Sequence, residues 1–349
     1  MPREAVETWL RETDPEQLAL LWAAADRTRR EWVGDDVHLR GLVEISNYCV
    51  RECAYCGIRG PNRGLSRYRM TAAEILDAAG QAREFGYGTV VLQSGEDYGI
   101  ETAWLAEIIR QMKAKTGLAV TLSLGERPEA DWAAWREVGA DRYLLKFETS
   151  DEELYGRIHP PRPGGDTDRR LQLRRLRELG YENGGGVMVG LPGQSFASLA
   201  RDIETFREMD LDMIGVGPFI AHPETPLGRG EIEVKIEDAD QVPSTETMAC
   251  RVVALTRIVC PEANLPSTTA LETINRESGR TSGLQRGANV VMPNLTPPHF
   301  RALYDIYPEK SLAQPDAASF HLQLLDQLAA IDRAPGRGRG DRVRRTSST

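Results

Sequence analysis

Residues 41–62 read GLVEISNYCVRECAYCGIRGPN. A short apolar run of strand character passes straight into a loop with the spacing Cys-x3-Cys-x2-Cys. A doubly wound open sheet would place a Gly-rich GxGxxG turn after its first strand, and none is present. Seven further apolar runs follow: 88–94, 118–124, 141–148, 182–190, 212–219, 264–269 and 288–292. Amphipathic patterns separate most of them. TAAEILDAAGQAREFG (71–86) opens on Thr71 with Glu74 three residues later, a capping-box signature. SFASLARDIETFREM (195–209) carries Phe196, Leu199, Ile203 and Phe206 on one face. Strands alternating with helices predict a parallel α/β sheet, and eight repeats predict closure into a complete (β/α)8, TIM-type barrel. In such a barrel the reactive groups gather at the C-terminal strand ends.

Working outward, residues 1–34 read as an N-terminal helical extension, 35–333 as the barrel, and 334–349 (APGRGRGDRVRRTSST) as a Gly/Arg-rich, disordered tail. Residues 228–242 read as a polar surface insertion. The chain has 349 residues, with 41% hydrophobic, 27% charged and a net charge of −9. That charge argues against a nucleic-acid surface. No apolar run reaches membrane-span length, and the acidic N-terminus does not read as a signal peptide. A cytoplasmic protein is expected. Cys250 and Cys260 sit in an apolar stretch and read as small buried hydrophobes.

Cys49, Cys53 and Cys56 fall within eight residues, which in a cytosolic chain points to metal or redox chemistry. Three thiolates without a nearby fourth suit a cubane iron–sulfur cluster with one iron left open, the condition for a catalytic centre. Structural zinc is the rival. It calls for a fourth ligand in a second short knuckle, and none of His38, His159, His222, His299 or His321 lies in one.

Cys49, Cys53, Tyr55 and Cys56 match the Cys-x3-Cys-x-aromatic-Cys form, in which the chain resembles the radical S-adenosylmethionine (SAM) superfamily. The resemblance implies one three-cysteine-ligated 4Fe–4S cluster whose electron cleaves SAM to a 5′-deoxyadenosyl radical. It places Gly95 and Glu96, after strand two, on the methionine amino group. Glu148 falls on the ribose, Arg169 (or its neighbour Arg170) on the carboxylate and Gly186 beside adenine, with Tyr55, Met213 and Tyr304 completing the cofactor site.

Within the superfamily, phrases such as VVLQSGED, LGYENGGGVMVGLPGQ, LPSTTALETI and YPEK resemble the biotin-synthase-like group, and in it the FeFe-hydrogenase maturase HydE. That resemblance implies a substrate cavity of Gln93, Thr121, Lys146, Thr268, Thr269, Met292 and Tyr307. The cavity would take a cysteine-bound Fe(CO)2(CN) species. Implied partners are a reductant such as ferredoxin or flavodoxin and other hydrogenase maturation proteins, with no membrane or nucleic acid. Two departures stand out. Lys146-Phe147 replaces the family's usual Arg-His, and a Lys lacks the bidentate fork of Arg. Residues 310–349 contain no cysteine, so no accessory cluster is expected. The alternatives are a HydE-like paralogue or methylornithine-synthase-like mutase with another small-molecule substrate, and a non-enzymatic iron–sulfur carrier.

Overall fold

A computed structural model describes residues 1–161, 168–232, 236–310 and 316–344. Its regular strands are β1 (Asp36–Ser46), β2 (Thr89–Ser94), β3 (Ala119–Ser123), β4 (Arg142–Leu144), β5 (Glu182–Val189), β6 (Met213–Pro218) and β7 (Val290–Val291). They form a parallel sheet in the order β6-β5-β4-β3-β2-β1-β7. Nearly every strand residue is buried, as expected of a parallel sheet covered on both faces. The helix Ala72–Glu84 begins with the anticipated capping box: Glu74 accepts from the Thr71 N–H at 2.7 Å, while the Thr71 hydroxyl accepts from the Glu74 N–H. The N-terminal helices Arg3–Arg11 and Pro15–Val33 pack on the helices Phe196–Glu208 and Glu246–Val259.

Regular strands stop at seven around this ladder. Over 264–269, where an eighth was expected, there are only isolated parallel bridges, Met213 to Asn264 and Pro266 to Val290. Pro266 has no N–H to donate, which limits a regular ladder there. The bridges still link the two outer strands: Ile214 N–H donates to Asn264 O at 3.0 Å, and Ser267 N–H to Val290 O at 2.9 Å.

The tail departs from expectation. Residues 334–344 are ordered across the N-terminal ends of the strands, with the two-residue strand β8 (Ala334–Pro335) pairing with β1. Two buried arginines explain why. Arg142 donates to Glu182 at 2.6 Å, to the Arg339 carbonyl at 3.0 Å and to Asp341. Arg40 donates to the Gly340 carbonyl at 3.0 Å. In return Arg339, Arg342 and Arg344 pair with Asp141, Asp210, Asp212 and Glu262. Composition alone reads these residues as solvated, yet their partners come from distant strands. Residues 345–349 lie outside the described residues.

The 228–242 segment is likewise more than a surface insertion. Gly228 lies against the His222 carbonyl, and Gln241 and buried Val242 bind the turn at 191–194. Cys250 is buried and Cys260 half-buried, each without a disulfide partner. Among the described residues, no helix is long and apolar enough to cross a membrane.

Candidate functional site

The cysteine loop leaves the C-terminal end of β1 and is held almost wholly by backbone groups. The Arg67 guanidinium collects four carbonyls: Asn47 at 2.5 Å, Ile58 and Arg59 at 2.7 Å, and Asn62 at 3.2 Å. Arg59 donates to the carbonyls of Cys53 and Glu52, both at 3.0 Å. The loop also reaches three separate parts of the fold. Val50 N–H donates to Glu96 O at 3.0 Å, Ala54 N–H to Ile158 O at 2.7 Å, and Gly57 N–H to Ile306 O at 3.0 Å. Each cysteine is thereby fixed through a neighbour tied to a different element.

The thiols resist ionisation. Burial pushes Cys53 up to about 12, with Cys49 adding to the effect. Burial, then Cys53 and Cys49, raises Cys56 well above the usual thiol range, and burial raises Cys49. Cys53 is buried and Cys49 and Cys56 are half-buried; thiols so placed suit a cationic occupant, which offsets their charges. The Glu96 N–H lies 3.4 Å from Cys49 Sγ, and the N–H groups of Arg51 and Ile58 point to Cys49 and Cys56. Such N–H···S contacts accompany iron–sulfur ligation. Among the described residues no three His, Cys, Asp or Glu side chains gather as a single-ion site.

Beside the loop lies a buried ion cluster that the sequence reading only half found. Glu126 Oε1 accepts from Arg169 Nε at 3.0 Å, and Glu126 Oε2 from Gln172 at 3.0 Å. Arg51 Nη1 stands 3.7 Å from Glu126 and 3.9 Å from Glu96; Arg169 stands 4.0 Å from Glu96. Burial raises the Glu96 carboxyl, against an N–H from Glu126. Arg51 and Glu126 were missed. The signal for Glu126 was available: β2 and β3 both run out into Gly-Glu, at 95–96 and 125–126. Gly95 has a structural reason of its own, because a Cβ there would stand 2.8 Å from Cys49 Cβ and overlap the Tyr48 carbonyl.

Glu148 adopts φ +63°, in the left-handed region that non-glycine residues seldom occupy. Its N–H donates to Gly186 O at 3.0 Å, and its carboxylate takes the Tyr55 hydroxyl. Burial raises this carboxyl, while Lys146 and Arg169 pull it down. The turn directs Glu148 to the same buried group as Tyr55 and Arg169. Gly186 is accounted for by its neighbour strand, since a Cβ would overlap the Gly215 carbonyl.

Inside the barrel wall, Thr121, Lys146, Met213, Thr268 and Met292 line one narrow chamber with Arg40 and Asn264. The buried hydroxyls of Thr121 and Thr268 have no hydrogen-bond partner among the described residues. Met213 opens β6 instead of ending it, and its sulfur takes Arg40 at 2.9 Å, so it belongs to the chamber and not to the mouth. Gln93 donates to the Tyr304 hydroxyl at 3.3 Å. Tyr307 meets Thr273. Thr269 starts the helix Thr269–Ile274 and does not line the chamber. The sequence reading also missed the buried Glu44–Lys310 ion pair, to which Asn294 adds a bond at 3.0 Å.

Residues 43–206 match the profile of the radical SAM superfamily. The [FeFe] hydrogenase maturase subunit HydE of Thermotoga maritima is 44% identical over 326 residues, covering 93% of this chain and 89% of that protein. The chain belongs to the HydE family of radical SAM enzymes. The 3-methylornithine synthase of Methanosarcina acetivorans resembles this HydE-family chain more distantly, at 28% identity over 279 residues, 79% of this chain and 74% of that one. A crystal structure of methylornithine synthase (PylB) superposes with a TM-score of 0.79 at 25% identity, covering 96% of this chain and 94% of that one. Radical SAM membership implies a 4Fe–4S cluster and SAM as cofactors, which suits the buried thiol loop.

Proposed function

We propose that this protein acts as a HydE-type maturase, taking a cysteine-bound Fe(CO)2(CN) species into its barrel during assembly of the FeFe-hydrogenase active site. The observation that carries the reading is the near-full-length 44% identity to a HydE, together with the thiol loop seated on Gly95 and Glu96. Cys49, Cys53 and Cys56 would hold the cluster. Bound there, the cluster would supply the one-electron reductive cleavage of SAM.

The chain's own residues prepare the place. Glu96 can accept from an ammonium, and Arg169, held through its Nε by Glu126 and through Nη1 by the Lys146 carbonyl at 2.7 Å, keeps Nη2 for a carboxylate. Glu148 and Tyr55 offer a buried acceptor and donor to a ribose. The bridges at 264–267 support closure of the sheet into a complete barrel, which would exclude water from the chamber. Thr121 and Thr268 hydroxyls left unpaired in a buried wall are unfavourable until a polar ligand meets them. Lys146, with no ion-pair partner among the described residues, adds a positive charge for an anion.

The test is in-vitro assembly of the hydrogenase active site with this protein replacing a known HydE. Active hydrogenase is expected, with the other hydrogenase maturation proteins present. Good SAM cleavage without assembly would reject the maturase reading in favour of a small-molecule mutase. A full cluster without SAM cleavage would leave an iron–sulfur carrier.

A further inference from the structure

We propose that Asp202, a buried carboxylate on the helix Phe196–Glu208, is a positioning residue for the nucleoside half of SAM. It ties together the turns that follow β4 and β5, and through them aims Glu148 at the ribose. The inference rests on the cofactor assignment above and adds a residue that touches no ligand.

Asp202 stands out in its own helix. It lies on the apolar stripe of Leu199, Ile203 and Phe206, and like them it is 0% exposed. Burial pushes its carboxyl up to about 7, against the hydrogen bonds from Ser150, Thr149 and Gln194. A leucine at 202 would complete the stripe without the penalty of burying an acid. The reason for the acid therefore lies in what it binds.

Its bonds divide between two turns. Oδ1 accepts from the Ser150 N–H at 2.5 Å, the Ser150 hydroxyl at 2.6 Å and the Thr149 hydroxyl at 3.3 Å. Oδ2 accepts from Gln194 Nε2 at 3.3 Å. That same nitrogen donates to the Met188 carbonyl at 2.9 Å, while Gln194 Oε1 accepts from the Gly190 N–H at 2.7 Å. Glu148 sits between the two turns. Its N–H donates to Gly186 O at 3.0 Å, and its carbonyl accepts from the Met188 N–H at 3.1 Å. At φ +63° this residue is strained, and a strained residue persists only where its surroundings over-determine it. Asp202 fixes the two residues after Glu148, and Gln194 fixes the strand that Glu148 leans on. The methionine half of SAM depends on other parts: Glu96, Arg169 and the cysteine loop, whose bonds to one another do not pass through Asp202.

Asp202→Asn keeps the size and changes the polarity. If its one remaining oxygen stays on Ser150, its amide meets Gln194 Nε2, donor against donor. Gln194 must then turn, which sets its nitrogen against the Gly190 N–H and its oxygen against the Met188 carbonyl. Both turns shift together.

The experiment uses cluster-loaded wild type, Asp202→Asn, Ser150→Ala, and Glu208→Gln at the exposed end of the same helix. Equilibrium dialysis measures binding of SAM, of L-methionine alone, and of 5′-deoxyadenosine with saturating methionine. Asp202→Asn should lose about tenfold or more in affinity for SAM and for 5′-deoxyadenosine. Its methionine affinity, iron content and far-UV circular dichroism should match wild type, and Glu208→Gln should match throughout. Ser150→Ala should show a smaller loss of the same kind. Unchanged nucleoside affinity in Asp202→Asn would overturn the proposal. So would an equal loss of methionine and nucleoside affinity, which would make Asp202 a residue of general stability. Should Asp202→Asn fail to fold, Ser150→Ala decides: no loss of nucleoside affinity there is equally fatal. A wild type that binds neither methionine nor nucleoside would instead reject the cofactor assignment.

Discussion

Replacing Gly95 by Ala separates two roles that one glycine could serve, cofactor contact and loop seating. The added Cβ would stand 2.8 Å from Cys49 Cβ and overlap the Tyr48 carbonyl. Ordinary carbon–carbon contact is about 3.5–4.0 Å, so the loop must retreat by about 1 Å. The retreat has no soft side chain to absorb it, because the opposing atoms are backbone and the ligand's own first carbon. The same loop is clamped behind by Arg67 on four carbonyls. Overpacking of this kind costs about 1–3 kcal/mol, and here it falls on the geometry of a metal ligand. We expect Gly95→Ala to fold but to hold less than half the wild-type iron and sulfide after anaerobic reconstitution. The matched measurements are iron and sulfide content, cluster absorbance and far-UV circular dichroism. Full iron content with weakened SAM binding would refute the seating argument and return Gly95 to a purely cofactor role.

Cys53→Ala should abolish cluster binding, read as loss of brown absorbance, since it removes one of only three clustered thiols. Glu126→Gln should leave iron content near wild type but weaken SAM binding by about tenfold in equilibrium dialysis. It withdraws the anion that orients Arg169 and faces Arg51, and binding as tight as wild type would remove Glu126 from the site. Lys146→Met should depress hydrogenase activation while sparing substrate-free SAM cleavage, and Lys146→Arg should keep activity; equal activity in all three would show that the chamber needs no cation. Deleting residues 336–349 strips Arg40 of its carbonyl partner and Arg142 of two of its acceptors. Bonds to charged groups contribute about 1.5–3 kcal/mol each, partly replaced by water, so the cluster-free protein should melt several degrees lower by calorimetry.

Much of this fold is written in short-range pattern. The runs at 41–46, 88–94, 118–124, 182–190 and 212–219 are strands because each is apolar and closed by polar or glycine residues. The run at 141–148 becomes a strand only over Arg142–Leu144, since the backbone turns left-handed at Glu148. No hydropathy pattern records that turn, yet it is what aims a functional carboxylate. The closing stretch 264–269 is apolar enough for a strand, but hydrogen-bond register, broken at Pro266, is a tertiary property. The thiol loop was legible because three cysteines at fixed spacing are rare. Arg51, Arg67 and Glu126 were not, because a lone Arg or Glu says nothing until distant strand ends converge.

The tail shows the same limit in its electrostatic form. Glycine and arginine in a polar run carry no local drive to order, and a composition argument stops there. The ordering force lies in Asp141, Glu182, Asp210, Asp212 and Glu262, delivered to one floor by segments up to 198 residues from the tail. Two arginines buried under that floor, Arg40 and Arg142, make the tail's carbonyls and Asp341 necessary as well as welcome. Burial and the neighbouring Arg142 charge push Arg40 down to about 9, which marks how poorly water serves it. The protein's acidity is therefore not spread evenly. One set of carboxylates under the barrel is neutralised by its own terminus, while Glu96 and Glu126 beside the cysteine loop are neutralised by Arg51 and Arg169. An average charge of −9 hides this pairing of opposite charges at both ends of the barrel.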